Sequence, residues 1–294
     1  LSPAALDDLW AAVEALPGDD DGLGWRTRVR YAVAASGRAG LRAHRSHQVV
    51  AVDRCVIAHP AVQSSDVLAR HWATAASVTV VAASGGQRTV LVDGAVADGP
   101  DEVVERVGGR RWRLPADAFW QVHPAAAEAL GRAVTDLLAP RPGERLWDLY
   151  GGAGLFAAAL ADAVGGDLAV TVVEAAPGAA AAARADLGDL PGLRVVADRV
   201  EGALRRGLGG GPSGSPAVDL VVLDPPRSGA GRRVVRAVAG SGARAVAYVA
   251  CDPAGLARDV RTFAGYGWRV QAVRAFDCFP MTHHLESVAL LTPG

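Results

Sequence analysis

From about residue 124 onward the sequence repeats one pattern, a short apolar run followed by an Ala-rich stretch long enough for a helix. The runs fall at residues 145–150, 169–174, 193–197, 218–223, 243–251 and 268–276. Apolar strands alternating with helical stretches predict βαβ units, because parallel neighbours need a crossover to return the chain to the same sheet edge. The expected fold is therefore α/β, with a doubly wound, mostly parallel sheet that binds its ligand at the carboxyl ends of its strands. The last apolar run, residues 287–291, has no crossover helix before it and is expected to pair antiparallel, as an edge or an inserted strand. The Gly/Pro/Ser stretch 207–216 reads as a surface loop.

The first part of the chain has another texture. Residues 25–33 (WRTRVRYAV) alternate at period two, and residues 40–51, 77–82, 89–92 and 103–114 continue as strand-like pieces between turn residues. A helix is expected near residues 60–73. Ahead of these, Ser2-Pro3 and the apolar positions Leu6, Leu9, Trp10, Val13 and Leu16 predict an amphipathic helix ended by Pro17-Gly18. A chain of 294 residues has room for about two domains. The expected division is 1–118, a smaller mainly β (α+β) domain, and 119–294, the α/β domain.

Composition narrows the function classes. Half of the residues are hydrophobic and 21% are charged, and no apolar run approaches the roughly 20 residues that span a bilayer. The chain has no Lys, so its thirty basic residues are all Arg, set against thirty-one acids for a net charge of −1. Overall charge gives no attraction to nucleic acid, and such a partner would have to be held by local patches. Cys55, Cys251 and Cys278 are too few and too scattered for a disulfide framework or a complete metal site. With no signal peptide at its start, the chain is expected in the reducing cytoplasm. It begins Leu-Ser-Pro and not Met, and further residues are expected upstream.

Four segments carry candidate chemistry. LWDLYGGAGLF places Gly151, Gly152 and Gly154 between a strand and a helix, and Glu174, about 20 residues on, is positioned to accept hydrogen bonds from ribose hydroxyls. Gly152, Gly154 and Ala157 also fit the loose dinucleotide fingerprint, so the loop alone says adenosine-containing cofactor without saying which. VVLDPPRSG brings Asp224 to the binding edge, followed by the stiff pair Pro225-Pro226. In YVACDPAGLARDV, Cys251 stands just before a helix start with Asp252 as cap and Pro253 in the first turn. That position favours thiolate, though a free cysteine is as often a small buried packing residue. In FDCFPMTHHLESVALL, Glu286 lies where a carboxylate can turn into the cleft as a base, and Cys278 reads as packing. His283 and His284 are adjacent, cannot share one strand face, and make a poor metal pair.

Taken in order, FWQVHP, LWDLYGGAGLF, VVLDPPRSG, YVACDP and FPMTHHLESVALL resemble the S-adenosylmethionine-dependent RNA 5-methyluridine methyltransferases, the family of the tRNA and 23S rRNA uracil-5 methyltransferases. The resemblance covers about residues 25–294. It implies a class I methyltransferase fold, Cys251 as nucleophile and Glu286 as general base. It also implies cofactor contacts from Gln121, Tyr150, Glu174 and Asp224, with Asp198 a further candidate for the adenine amino group. The implied cofactor, S-adenosyl-L-methionine, has no phosphate and carries a sulfonium cation, so acids such as Asp148 near the glycine loop are favoured. The implied partner is RNA, with no membrane and no protein partner, and the target uridine is expected to be flipped out of its stack.

The sequence departs from the family pattern in several places. YGGAG stands where many members have a Cys in the second position, and CDP where CNP is common. The usual RNA-binding β-barrel is not found in this sequence. Some members hold an iron–sulfur cluster, and Cys55 in DRCVIAHP resembles its later ligand, yet three scattered cysteines cannot build a four-cysteine cluster, so no metal is expected from this chain alone. Arg26, Arg28, Arg30, Arg42 and Arg45 are candidates to meet RNA phosphates. The competing readings are a methyltransferase acting on another base position, an NAD-dependent oxidoreductase using the same glycine loop, and an idle RNA-binding module.

Overall fold

Strands rich in Val, Leu and Ala, buried on both faces, are what a parallel sheet covered by helices requires, and the computed structural model contains such a sheet. It describes residues 12–18, 21–44, 46–208 and 218–294. Its strands in chain order are β1 (Val13–Ala15), β2 (Arg28–Val33), β3 (Ala39–Arg42), β4 (Val49–Ala51), β5 (Ser77–Ala82), β6 (Arg88–Val92), β7 (Ala95–Asp98), β8 (Glu102–Val107) and β9 (Arg110–Pro115). There follow β10 (Glu144–Leu149), β11 (Leu168–Glu174), β12 (Arg194–Ala197), β13 (Leu220–Leu223), β14 (Ala245–Ala250), β15 (Trp268–Asp277) and β16 (Glu286–Pro293). The helices are α1 (Pro60–Gln63), α2 (Ala126–Leu138), α3 (Leu155–Ala163), α4 (Pro177–Asp186), α5 (Val200–Arg206), α6 (Gly231–Ala239) and α7 (Pro253–Ala264).

Two units divide these elements. One comprises residues 17–126 and 279–282, and the other takes the rest of the chain. The second unit holds an eight-stranded sheet in the order β1-β15-β16-β14-β13-β10-β11-β12. Strand β10 pairs parallel with β11 and β13, and β13 with β14. The order reverses at β10, so the carboxyl ends of β10 and β13 open the crevice where such sheets bind ligands. Strand β16 is antiparallel to both β14 and β15 and is inserted between them, as the missing crossover requires. The core of this unit centres on Leu149, Val221, Leu223, Val246, Tyr248 and Ala289.

The amphipathic helix expected at the start is corrected in part. Residues 1–11 lie outside the described residues, and Val13–Ala15 is a strand pairing parallel with residues 275–277 of β15. Glu14 anchors it, accepting from Arg274 Nε at 2.8 Å and Nη2 at 2.7 Å. Over Val13–Ala15 helical spacing is overridden by the free edge of β15, which offers a ladder to any extended segment.

The other unit is antiparallel, with a six-stranded sheet in the order β4-β3-β2-β5-β6-β7 and a separate β8-β9 hairpin. The single runs read at residues 40–51 and 103–114 are each two strands. Gly108 (φ 58°) and Gly109 (φ 83°) turn the second, a two-residue connection whose left-handed backbone suits a hairpin. The helix expected over 60–73 is only the four-residue α1, capped by His59 through Ala61 N–H. Its continuation is drawn aside by local bonds, among them Trp72 Nε1 to Val67 O at 2.8 Å.

Candidate active site

The site is built on the carboxyl ends of β10, β11, β13 and β14 and the start of β16. After β10 the chain turns through Tyr150, a non-glycine residue at φ 63°, and Gly152 at φ 55°. A left-handed tyrosine is costly backbone, of the kind that persists where the surrounding structure imposes it. Space beside Gly152 is open, with no atom within 4 Å of where a Cβ would stand. Its N–H donates to Glu174 Oε2 at 2.9 Å, while Ala176 N–H donates to Oε1 at 2.6 Å. The loop and the acid ending β11 therefore hold one another.

Asp148, one residue before the end of β10, is fully buried. One carboxylate oxygen accepts from Ala157 N–H at 3.0 Å in the first turn of α3, and the other has no hydrogen-bond partner. Burial raises the Asp148 carboxyl to about 7, helped by Glu174 and opposed by the Ala157 bond. Asp224, following β13, is likewise raised to about 7 by burial and by the charges of Asp148 and Glu174. Three carboxylates thus converge, and no cation among the described residues pairs with them. A buried acceptor without a donor and acids held partly protonated suit a cationic ligand with hydroxyl or ammonium donors. They do not suit the pyrophosphate of a dinucleotide, because the helix start that would receive a phosphate already faces Asp148.

Cys251 and Glu286 meet on neighbouring strands. Ala250 on β14 pairs with Ser287 on β16, which brings the next residue on each strand, Cys251 and Glu286, to the same end. Glu286 is buried, with 4% of its surface exposed, and burial together with the charge of Asp224 raises its carboxyl to about 9. Cys251 is half-buried just ahead of α7, whose cap Asp252 accepts from Gly255 N–H at 2.7 Å. The helix start does not by itself leave this thiol acidic. Burial, followed by the charge of Glu286, pushes it up, while a hydrogen bond and charge from Arg227 oppose that shift.

Arg227 is a functional candidate that the DPPR motif contained and that reading the motif for its acid and prolines passed over. Its guanidinium lies 3.1 Å from Nε2 of the loop residue His284. Asp259 went unnoticed altogether. Buried in α7, it accepts from Ala230 N–H at 2.6 Å, Gly231 N–H at 3.2 Å and Tyr248 O–H at 2.6 Å. It thereby ties the loop carrying Asp224 and Arg227 to α7 and β14. Gly229 (φ 84°) passes so close that a Cβ would stand 2.6 Å from Asp259 Oδ2.

Asp198 adjoins the acids, its N–H donating to Glu174 O at 3.0 Å. Asp198 follows β12 and is paired with Arg206, which lowers its carboxyl. Gln121 is a buried residue of the antiparallel unit. Cys55 packs in that unit among Val29, Tyr31, Ala58 and Val62, and Cys278 is buried. Among the described residues no group of three or more His, Cys, Asp or Glu can hold a metal ion, so the residues present do not fit an iron–sulfur cluster. The arginines expected to meet RNA differ in their surroundings. Arg28 is buried against Glu105 at 3.1 Å and donates to Ala116 O and Ala118 O, Arg26 Nε donates to Arg28 O, and Arg30 donates to Ser77 Oγ. Arg42 is exposed, and Arg45 lies outside the described residues. No helix among the described residues is long and apolar enough to cross a membrane.

A sequence profile of the tRNA (uracil-5-)-methyltransferase family matches residues 62–293. An uncharacterized RNA methyltransferase of Streptomyces avermitilis is 43% identical over 298 residues, covering 92% of this chain and 67% of that protein. The 23S rRNA (uracil(1939)-C(5))-methyltransferase of Pseudomonas aeruginosa is 32% identical over 317 residues, with 92% and 68% covered. The chain spans about two thirds of the length of these relatives. Among solved structures, the Pyrococcus abyssi tRNA (uracil-54, C5)-methyltransferase in complex with S-adenosyl-L-homocysteine superposes with a TM-score of 0.73 at 20% identity, over 95% of this chain and 79% of that one. That likeness establishes the fold, a class I methyltransferase sheet accompanied by an antiparallel β unit.

Proposed function

The chain belongs to the tRNA (uracil-5-)-methyltransferase family, and from that premise we propose that it methylates carbon 5 of a uridine in rRNA or tRNA through a covalent cysteine adduct. One observation carries the reading: a thiol and a buried, strongly basic carboxyl, Cys251 and Glu286, sit side by side at the strand ends, next to a cluster of unpaired acids. The cofactor of the family, S-adenosyl-L-methionine, supplies an electrophilic methyl group when bound.

Asp148, Glu174 and Asp224 meet its positive charge and its hydroxyl and ammonium donors, and the burial of Asp148 strengthens its contacts. Tyr150 and the open backbone at Gly152 let it approach the loop. Gln121 and Asp198 remain candidates for the same role, with Asp198 having to leave Arg206 to serve it. Arg227, held by His284, favours the thiolate of Cys251. The Sγ electron pair adds to carbon 6 of the uracil, and the ring electrons move to oxygen 4, which makes carbon 5 nucleophilic. Once carbon 5 carries the methyl group, Glu286 takes its proton, the ring double bond re-forms, and Sγ leaves as thiolate. A carboxyl with raised affinity for protons suits that step. The target base must be unstacked to reach the thiol. A cytoplasmic location goes with this reading.

The test is incubation of wild type, Cys251→Ala and Glu286→Gln with tritiated-methyl cofactor and unmodified tRNA and 23S rRNA transcripts, followed by nucleoside analysis. Labelled 5-methyluridine from wild type and none from Cys251→Ala is expected. Label on another nucleoside, or full turnover by Cys251→Ala, overturns the cysteine mechanism.

A further inference from the structure

Next to the cofactor region, beginning at Asp198, whose N–H donates to Glu174 O at 3.0 Å, the α/β unit carries a groove of about 600 Å³ lined mainly by arginines. Arg199, Arg205 and Arg206 line one wall at α5, and Arg232 and Arg233 line the other at the start of α6. Asp198 and Glu201 are the acids there, and Asp198 is already paired with Arg206. Arg199, Arg205, Arg232 and Arg233 are exposed; Arg205 adds its charge to that of Arg206 at Asp198, and none of the four is in an ion pair among the described residues. In a chain with thirty basic and thirty-one acidic residues, unneutralised guanidiniums gathered around one groove repel one another across distances comparable to the Debye length of about 8 Å. A bound polyanion relieves that repulsion.

The groove also sits where it can serve the reaction. Asp198 follows the carboxyl end of β12, and Ala230-Gly231 continues the loop that begins at Asp224, so both walls rise from the same sheet edge as Cys251. We propose that this arginine groove binds the phosphodiester backbone of the RNA whose uridine enters the Cys251 site. The inference rests on the function proposed above and gives it an electrostatic foothold within the α/β unit. Arginine suits the task because its planar fork meets phosphate oxygens bidentately.

The experiment measures binding of unmodified tRNA and 23S rRNA transcripts by fluorescence anisotropy over a series of salt concentrations. Wild type is compared with Arg232→Gln/Arg233→Gln, the Lys/Lys double variant of those positions, and Arg205→Gln. Loss of two phosphate contacts lowers the slope of log affinity against log salt by about 1.5, at roughly 0.7–0.9 per contact, and weakens binding about tenfold at moderate salt. The Lys variant is expected to restore most of the slope, because the countercharge remains, and calorimetry is expected to give unchanged cofactor affinity. Wild-type slope and affinity in both Gln variants overturn the groove. Parallel nucleoside analysis separates the two ideas. RNA binding that depends on the groove without 5-methyluridine overturns the proposed reaction alone, methylation with unchanged slopes overturns the groove alone, and wild type that does not bind RNA overturns both.

Discussion

Replacing Asp259 by Ala removes the acceptor shared by Ala230 N–H, Gly231 N–H and Tyr248 O–H. Tyr248 Oη can still accept from Ala230 N–H, which lies 3.1 Å away, so about two donors lose a charged acceptor at a site where Asp259 is 4% exposed. At roughly 1.5–3 kcal/mol for each hydrogen bond to a charged group, the loss is about 3–6 kcal/mol. For a unit of this size that corresponds to a Tm lower by roughly 10 °C. The structure locates the damage as well as its size, because the freed loop carries Asp224 and Arg227 between β13 and α6. Turnover of Asp259→Ala is therefore expected to fall at temperatures where the variant is still folded, and Asp259→Asn, which keeps one acceptor, should lie between it and wild type. Urea denaturation followed by circular dichroism gives the first quantity, and the tritium assay at 20 °C gives the second. A stability within about 0.5 kcal/mol of wild type would refute the reasoning, for it would mean that the three donors find water as readily as the carboxylate.

Glu286→Gln is expected to accumulate an RNA–protein adduct that survives denaturing electrophoresis, since Cys251 can add but the proton on carbon 5 is not removed; a clean gel counts against Glu286 as the base. Asp148 and Asp224, both raised to about 7, bind protons in the folded ligand-free protein at pH values where the unfolded chain has lost them. Stability from these groups is therefore present at low pH and declines as pH rises from about 4 to 7. Cofactor affinity runs the other way, strengthening through pH 6–8 as the acids ionise, with proton release seen as a buffer-dependent calorimetric enthalpy. Because the Cys251 thiol and the Glu286 carboxyl are both pushed up, methylation is expected to climb from neutral pH toward about pH 9, and a profile flat above pH 7 contradicts that assignment. Glu105→Ala leaves Arg28 buried and unpaired and should cost about 3–5 kcal/mol in urea denaturation.

The α/β unit was legible because its signals are local. Apolar runs such as residues 218–223 and the glycines after Asp148 announce strand and turn without tertiary context, and the missing crossover before residues 287–291 announced the antiparallel strand. What escaped was set by partners distant in sequence. Val13 falls in a helical spacing, yet the β15 edge takes it as strand. Arg28 alternates like a surface residue, yet Glu105, 77 positions away, draws it inside. In the site, the acids and the thiol stood out by residue type, whereas Asp259 and His284 act through Ala230 and Arg227, contacts that only folding creates.

Inserting β16 between β14 and β15 has a consequence for the order of events during synthesis. Until residues 286–293 have left the ribosome, β14 and β15 each lack a neighbour, and the thiol of Cys251 lacks the carboxyl of Glu286 beside it. The β1-β15 pair joins the rest of the sheet only through β16, a long-range pairing of the kind that slows folding. It also means that no shorter nascent chain carries an assembled site.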